Sequence, residues 1–221
     1  METYLPFQQS VVTISQEMTR QGYLMGTGGN VSVRVTGNAF AITPSNFDYL
    51  QMTPADVCVL DETLAPLAGE RKPSIESGMH AAIYQARPDV NVVIHTHQVT
   101  ASALALLGKP IPALFDEQVR FLGRSVEIVP YGPSGTGWLK SNIVRKLKNH
   151  ANAYILQNHG ALTLGPNAER AMFNVELLEK CATAFLLAYY TGERLTTIPL
   201  PVREIVFAKL KKEQKNVIRD V

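Results

Sequence analysis

The stretch that most constrains this chain is Asn91-Val92-Val93-Ile94-His95-Thr96-His97. β-Branched apolar residues run without a break into two histidines one residue apart, the pattern of a buried strand with a polar end. Side chains at i and i+2 of a strand point to the same face, so His95 and His97 project side by side. Two imidazoles held on one rigid face are half of a metal site. The other half must come from elsewhere in the chain.

The flanking sequence predicts a sheet with helices around it. Val11, Val12, Ile14, Met18, Tyr23 and Leu24 give helical spacing over residues 5–24, with Gly22 near its end. A glycine-rich turn, Gly26-Thr27-Gly28-Gly29-Asn30, leads into Val31-Ser32-Val33-Arg34-Val35, whose strict alternation predicts a strand. Gly37-Asn38 predicts a hairpin turn into Ala39-Phe40-Ala41-Ile42. Further strands are predicted at 56–60, 126–129, 153–156 and 161–164. Helices are predicted from Ser74, as N-cap, to Ala86, and over 100–107, 139–148, 168–190 and 202–221. Residues 112–121 read as a loop whose Leu114, Phe115, Val119 and Phe121 are too apolar for a free surface. With no repeat or linker, residues 1–221 are expected to form one domain. It is an α/β fold with a mixed, mostly antiparallel sheet and helices on both faces.

Composition narrows the function classes. The 21 basic and 19 acidic residues leave a net charge of +2, which gives no support for nucleic acid or an anionic membrane as partner. No apolar run is long enough to span a membrane, and Glu2 and Gln8-Gln9 interrupt any leader-like start. Cys58 and Cys181 sit in apolar contexts far apart, as core residues of a reducing, cytoplasmic protein.

Of the five histidines, His159 resembles the first pair in context: it follows a short buried strand and precedes a glycine. Three histidines at strand ends can bind zinc or a similar divalent ion and leave a position open for a substrate oxygen. Glu76, in the turn before a helix, can serve as fourth ligand or as base. Gly29-Asn30, Thr43, Ser45 and Ser74 gather hydroxyls and backbone N–H groups where strands end and helices begin, which suits a small anion such as phosphate. His80 and His150 read as structural residues. Tyr131 reads as packing a turn, and the cations from Arg203 to Lys215 as a solvated helix face.

Gly26-Thr27-Gly28-Gly29-Asn30-Val31-Ser32, Ile42-Thr43-Pro44-Ser45, Lys72-Pro73-Ser74-Ile75-Glu76, His95-Thr96-His97 and Gln157-Asn158-His159-Gly160 stand in an order that resembles the class II aldolase/adducin family. The resemblance runs from about residue 8 to about residue 192. It implies a three-layer αβα fold and a fourfold homotetramer with active sites between neighbouring subunits. It assigns His95, His97 and His159 to zinc, with manganese or cobalt as alternatives. Glu76 becomes the catalytic acid/base that also touches the metal. Gly29, Asn30, Ser45 and Ser74 become phosphate ligands. The implied reaction cleaves a ketose 1-phosphate to dihydroxyacetone phosphate and an aldehyde through a metal-stabilised enediolate.

Three positions depart from the aldolase pattern. Asn46 replaces a glycine, Ile75 a second serine, and Asp116, beside Glu117, falls near a tyrosine lent by the next subunit. Asp116 is therefore the expected second acid/base. Within the same superfamily an epimerase, a dehydratase or a decarboxylase of sugar phosphates is the alternative, and an adducin-like scaffold is a further one. Retention of the three histidines and Glu76 favours the enzyme, since a scaffold has no need of them.

Overall fold

The structure, a computed structural model, describes residues 4–35 and 38–219. Among these, a mixed sheet of eight strands organises the chain: β1 (Asn30–Arg34), β2 (Phe40–Ile42), β3 (Cys58–Leu60), β4 (Pro66–Ala68), β5 (Val92–Thr96), β6 (Glu127–Val129), β7 (Ala153–Leu156) and β8 (Gly160–Gly165). Their order across the sheet is β4-β3-β2-β1-β5-β8-β7-β6. β6 and β7 pair in parallel, and the other neighbours are antiparallel. The strand that carries His95 thus lies in the sheet interior, with β1 on one side and β8 on the other.

Among the described residues seven helices accompany the sheet: α1 (Leu5–Arg20), α2 (Ser77–Ala86), α3 (Val99–Leu107), α4 (Asp116–Phe121), α5 (Gly137–Leu147), α6 (Ala168–Tyr190) and α7 (Leu200–Arg219). The period-two alternation of the strands sorts them into layers. Val93, Leu162 and Leu164 face one way, into a core closed by Met79 and Ile83 of α2 and Leu139 and Ile143 of α5. Val31, Val33, Val92 and Ile94 face the other way, against Val11, Ile14 and Met18 of α1 and Val175 of α6. Ala153, Ile155 and Ala161 continue that second face under Leu104 of α3 and Leu178 of α6. The result is the expected αβα arrangement. No helix among the described residues is long and apolar enough to cross a membrane.

Several local expectations change. Ser74 is not the N-cap of α2, because Glu76 occupies that position and the helix begins at Ser77. Ser74 instead opens a turn, its carbonyl accepting from Ser77 N at 3.1 Å. Residues 116–121 are helical, not a loop, and Val119 is buried with Phe207 and Leu210 of α7. That segment therefore fills a core of its own chain, which explains most of its apolar character. Gly37 of the expected hairpin turn and residues 220–221 of the expected last helix lie outside the described residues. Both cysteines are free and buried, on opposite faces of the sheet.

Candidate metal centre and active site

His95 lies inside β5, and His97 follows one residue beyond the strand end. By alternation both share the face of Val93, the face that α2 covers. His159 arrives through the hairpin between β7 and β8. There Asn158 takes a left-handed φ of 54°, a conformation asparagine tolerates, and His159 N donates to Leu156 O at 3.0 Å. Glu76 comes in at the start of α2, where its side chain makes no cap bond to the helix.

These four side chains converge. His95 Nε2 lies 3.2 Å from His159 Nε2 and 3.1 Å from His97 Nε2. Glu76 Oε2 is 3.3 Å from His95 Nε2, and Oε1 is 3.5 Å from His159 Nε2. His95 Nδ1 donates to Ala161 O at 2.8 Å, which fixes the tautomer and leaves Nε2 as a bare lone pair facing the cluster. Burial lowers His95 to about 4 and also lowers His97, so both rings are neutral at neutral pH. Burial pushes the Glu76 carboxyl up. Positive charge on His95 and His159, where those rings are protonated, and the Asn30 amide more than offset that, leaving it below the usual range.

The donor set fits a divalent cation. Three imidazole nitrogens offer ligand atoms within 4.8 Å of one another. Glu76 Oε1 is buried with no hydrogen-bond partner among the described residues, an orphaned anionic oxygen that a cation would satisfy. Imidazole nitrogens and a carboxylate are the ligands zinc, manganese or cobalt accept.

Close backbone packing makes this convergence possible. A Cβ on Gly29, whose φ is 79°, would lie 2.5 Å from His95 O. A Cβ on Gly160 would lie 2.7 Å from His97 Cδ2 and would also strike Thr96 O. Only glycine lets β1 and β8 approach the histidine strand so closely at these points.

Of the expected anion ligands, Gly29 packs against His95 O, Asn30 reaches Glu76, and Ser74 Oγ accepts from Glu76 N. A short antiparallel bridge joins Pro44 to Pro73, with Ser45 N donating to Lys72 O at 2.8 Å and Ser74 N to Thr43 O at 3.2 Å. Ser45 and Ser74 therefore lie on paired segments. Asn46 next to them has φ 60°, the left-handed conformation that glycine adopts most readily. Asn30 is turned inward: its Nδ2 donates to Glu76 Oε2 at 2.8 Å and its Oδ1 meets His80 Nε2 at 2.6 Å.

Asp116 joins none of these contacts. It is exposed at the first position of α4, while Glu117 is held by Lys180 at 2.9 Å. Near the site, Ser134 escaped sequence reasoning and His80 was read as structural. Ser134 Oγ lies 3.3 Å from His159 Nε2, in a Gly/Pro loop with no signal of its own. His80 contacts Asn30, and its i+4 spacing from Glu76 was the available signal.

Comparison with known proteins agrees with this geometry. The family model described as Class II Aldolase and Adducin N-terminal domain matches residues 9–186. L-fuculose phosphate aldolase from Escherichia coli is 34% identical over 194 residues, covering 88% of this chain and 86% of that one. The 5-deoxy-D-ribulose 1-phosphate aldolase of Bacillus thuringiensis is 34% identical over 188 residues, covering 84% and 87%. A solved L-fuculose 1-phosphate aldolase superposes with a TM-score of 0.88 at 32% identity, covering 96% and 98%. The chain belongs to the class II aldolase and adducin family. Within it, the protein is an enzyme, an aldolase of the metal-dependent class and so a carbon–carbon lyase.

Proposed function

We infer that the protein cleaves a ketose 1-phosphate between C3 and C4, giving dihydroxyacetone phosphate and an aldehyde. The observation that carries this reading is the meeting of three imidazole nitrogens with a buried carboxylate oxygen that has no partner among the described residues. His95, His97 and His159 hold a divalent ion, zinc in the first place, with Glu76 beside it. The ion supplies Lewis-acid stabilisation for the charge that bond cleavage leaves on the donor fragment.

The chain's own groups do the rest. Gly29, Asn30, Ser45 and Ser74 bind the phosphate and so fix the reacting carbons against Glu76. The C4 hydroxyl gives up its proton as the C3–C4 bond breaks and its oxygen becomes the aldehyde carbonyl. Asp116 takes the C4 proton, and Glu76, which picks up a proton from water, delivers it to C3 of the donor fragment and takes it away in the reverse direction. Asp116, exposed and outside the cluster of its own chain, acts across a subunit boundary on the C4 hydroxyl.

That assignment needs a homo-oligomer, and we place it in a homotetramer. Leu106 at 71% exposure, Leu187 at 67% and Tyr190 at 91% lie on α3 and α6 and supply apolar surface for contact between copies. Residues 1–221 act as one catalytic domain, in the reducing cytoplasm that two free thiols favour.

A screen of C5 and C6 ketose 1-phosphates, including L-fuculose 1-phosphate and 5-deoxy-D-ribulose 1-phosphate, with coupled detection of dihydroxyacetone phosphate tests the reading. Release of dihydroxyacetone phosphate from at least one of them is expected. A metal-loaded protein that releases none, yet epimerises or dehydrates a member of the set, would replace cleavage with that reaction.

A further inference from the structure

The polar face of β1 is covered, not solvated. Asn30 and Ser32 are buried and Arg34 is half-buried; the three alternate with the core valines and face α2. Glu76, His80 and Tyr84 lie at i, i+4 and i+8 along α2 and meet them. The strand's period of two and the helix's period of four interlock as a ladder of polar contacts.

The contacts form one chain. Tyr84 OH lies 2.7 Å from Ser32 Oγ, and Ser32 Oγ lies 2.6 Å from His80 Nδ1. His80 Nε2 lies 2.6 Å from Asn30 Oδ1, and Asn30 Nδ2 donates to Glu76 Oε2 at 2.8 Å. The members from Tyr84 to Glu76 are all buried. At the outer end the Arg34 guanidinium sits 4.7 Å from the centre of the Tyr84 ring.

The proton positions follow from donor and acceptor capacity. Asn30 Oδ1 is a carbonyl oxygen and only accepts, so His80 Nε2 carries the hydrogen. The ring is fully buried and its nitrogens meet only a hydroxyl and an amide oxygen, with no carboxylate to hold a second proton, so Nδ1 is bare. Nδ1 then accepts from Ser32, which has spent its only hydrogen and must accept from Tyr84. Burial pushes the Tyr84 phenol up, so that hydroxyl keeps its proton. Every hydrogen in the chain points toward Glu76.

We propose that His80 is a positioning residue: as the neutral Nε2–H tautomer it fixes the Asn30 amide so that its N–H pins Glu76 Oε2 and leaves Oε1 to move the substrate proton. The opposite tautomer would turn the amide over and aim Asn30 Oδ1 at the carboxylate, lone pair against lone pair. This role rests on the reading of Glu76 as the base. Oε2 has a hydrogen-bond partner while Oε1 has none among the described residues, so Oε1 is the oxygen free to take the proton once substrate displaces it from the ion.

The test uses the zinc-loaded, full-length protein. Long-range proton–nitrogen correlation spectra at neutral pH, with His80 assigned by its loss in His80→Gln, read the tautomer directly. A neutral ring protonated on Nε2 is expected; protonation on Nδ1 or on both nitrogens overturns the proposal. The tautomer is read on the parent protein itself, so the result does not depend on how a variant folds.

The second measurement follows deuterium exchange from heavy water into dihydroxyacetone phosphate. His80→Phe keeps ring volume and removes both nitrogens, while His80→Gln keeps a donor toward Asn30. His80→Phe should lose about 10–100-fold in the exchange rate constant, as loss of a partner behind a metal site typically does. KM for dihydroxyacetone phosphate should stay within about threefold, and His80→Gln should recover most of the loss. Equal losses in the two variants overturn the proposal. Slow exchange by Glu76→Gln with normal exchange by His80→Phe overturns the positioning role alone. Normal exchange by Glu76→Gln overturns the base assignment itself, and the positioning role with it.

Discussion

Glu76 Oε2 lies 3.3 Å from His95 Nε2 although 19 residues separate them in the chain, a distance set by the turn that opens α2 over the end of β5. Most of the expected behaviour of this protein follows from that pairing and from what holds each partner in place.

The metal comes first. His97→Ala removes one of the three imidazoles that converge in the cluster. The purified variant should lose both bound divalent ion and aldolase activity, while the parent protein carries about one ion per chain. Elemental analysis after dialysis checks this, and full occupancy in His97→Ala would remove His97 from the centre.

Glu76→Gln separates binding from proton transfer. Shape and three histidine ligands persist, so substantial metal should remain. Turnover should fall by about 10²–10⁴-fold, the usual contribution of a general base. Steady-state rates at matched metal content decide it, and turnover like the parent's would exclude Glu76 as base.

Gly160→Ala tests the backbone packing behind the site. The new Cβ would strike Thr96 O and lie 2.7 Å from His97 Cδ2, so β8 or the histidine strand must shift. Overpacking of this kind costs about 1–3 kcal/mol. Metal affinity should fall with it, by about 10–100-fold, because the ligands lose their mutual geometry. Titration calorimetry and urea unfolding together check the pair of effects. Unchanged affinity would mean that the strands absorb the methyl group elsewhere.

Arg87 is a structural prediction with no catalytic component. Its guanidinium is buried and donates to Asp89 at 2.8 and 2.7 Å, to Ala151 O at 2.8 Å and to Asn152 Oδ1 at 2.9 Å. It thus ties the end of α2 to the start of β7. Arg87→Met leaves the Asp89 carboxylate buried without a cation and should cost about 3–5 kcal/mol of stability. Urea unfolding measures this; a loss below about 1 kcal/mol would mean that Asp89 finds water instead.

Oligomer formation is checked by light scattering across a range of concentrations. A tetramer mass is expected, and Asp116→Asn should leave it unchanged while slowing release of the aldehyde. A monomer at all concentrations would remove Asp116 from the mechanism, since it makes no contact with the cluster of its own chain.

The sequence by itself determined the pieces. Alternation in Val31–Val35, the apolar run into His95 and the helical spacing of residues 168–190 follow from local periodicity, and the corresponding strands and helix are present. Motif order likewise marked His95, His97, His159 and Glu76, because ligand types announce themselves through chemistry and spacing. What tertiary structure alone decided is where polar residues turn. Alternation puts Ser32 and Arg34 on the polar side of a strand without saying what covers it; α2 does, and only that packing gives their side chains His80 and Tyr84 as partners. Val119 read as part of a loop too apolar for a free surface, and what covers it is α7, returning from more than 80 residues away. A local pattern fixes which residues share a face. Which element covers that face depends on long-range docking of amphipathic surfaces, and no short window of sequence contains both partners.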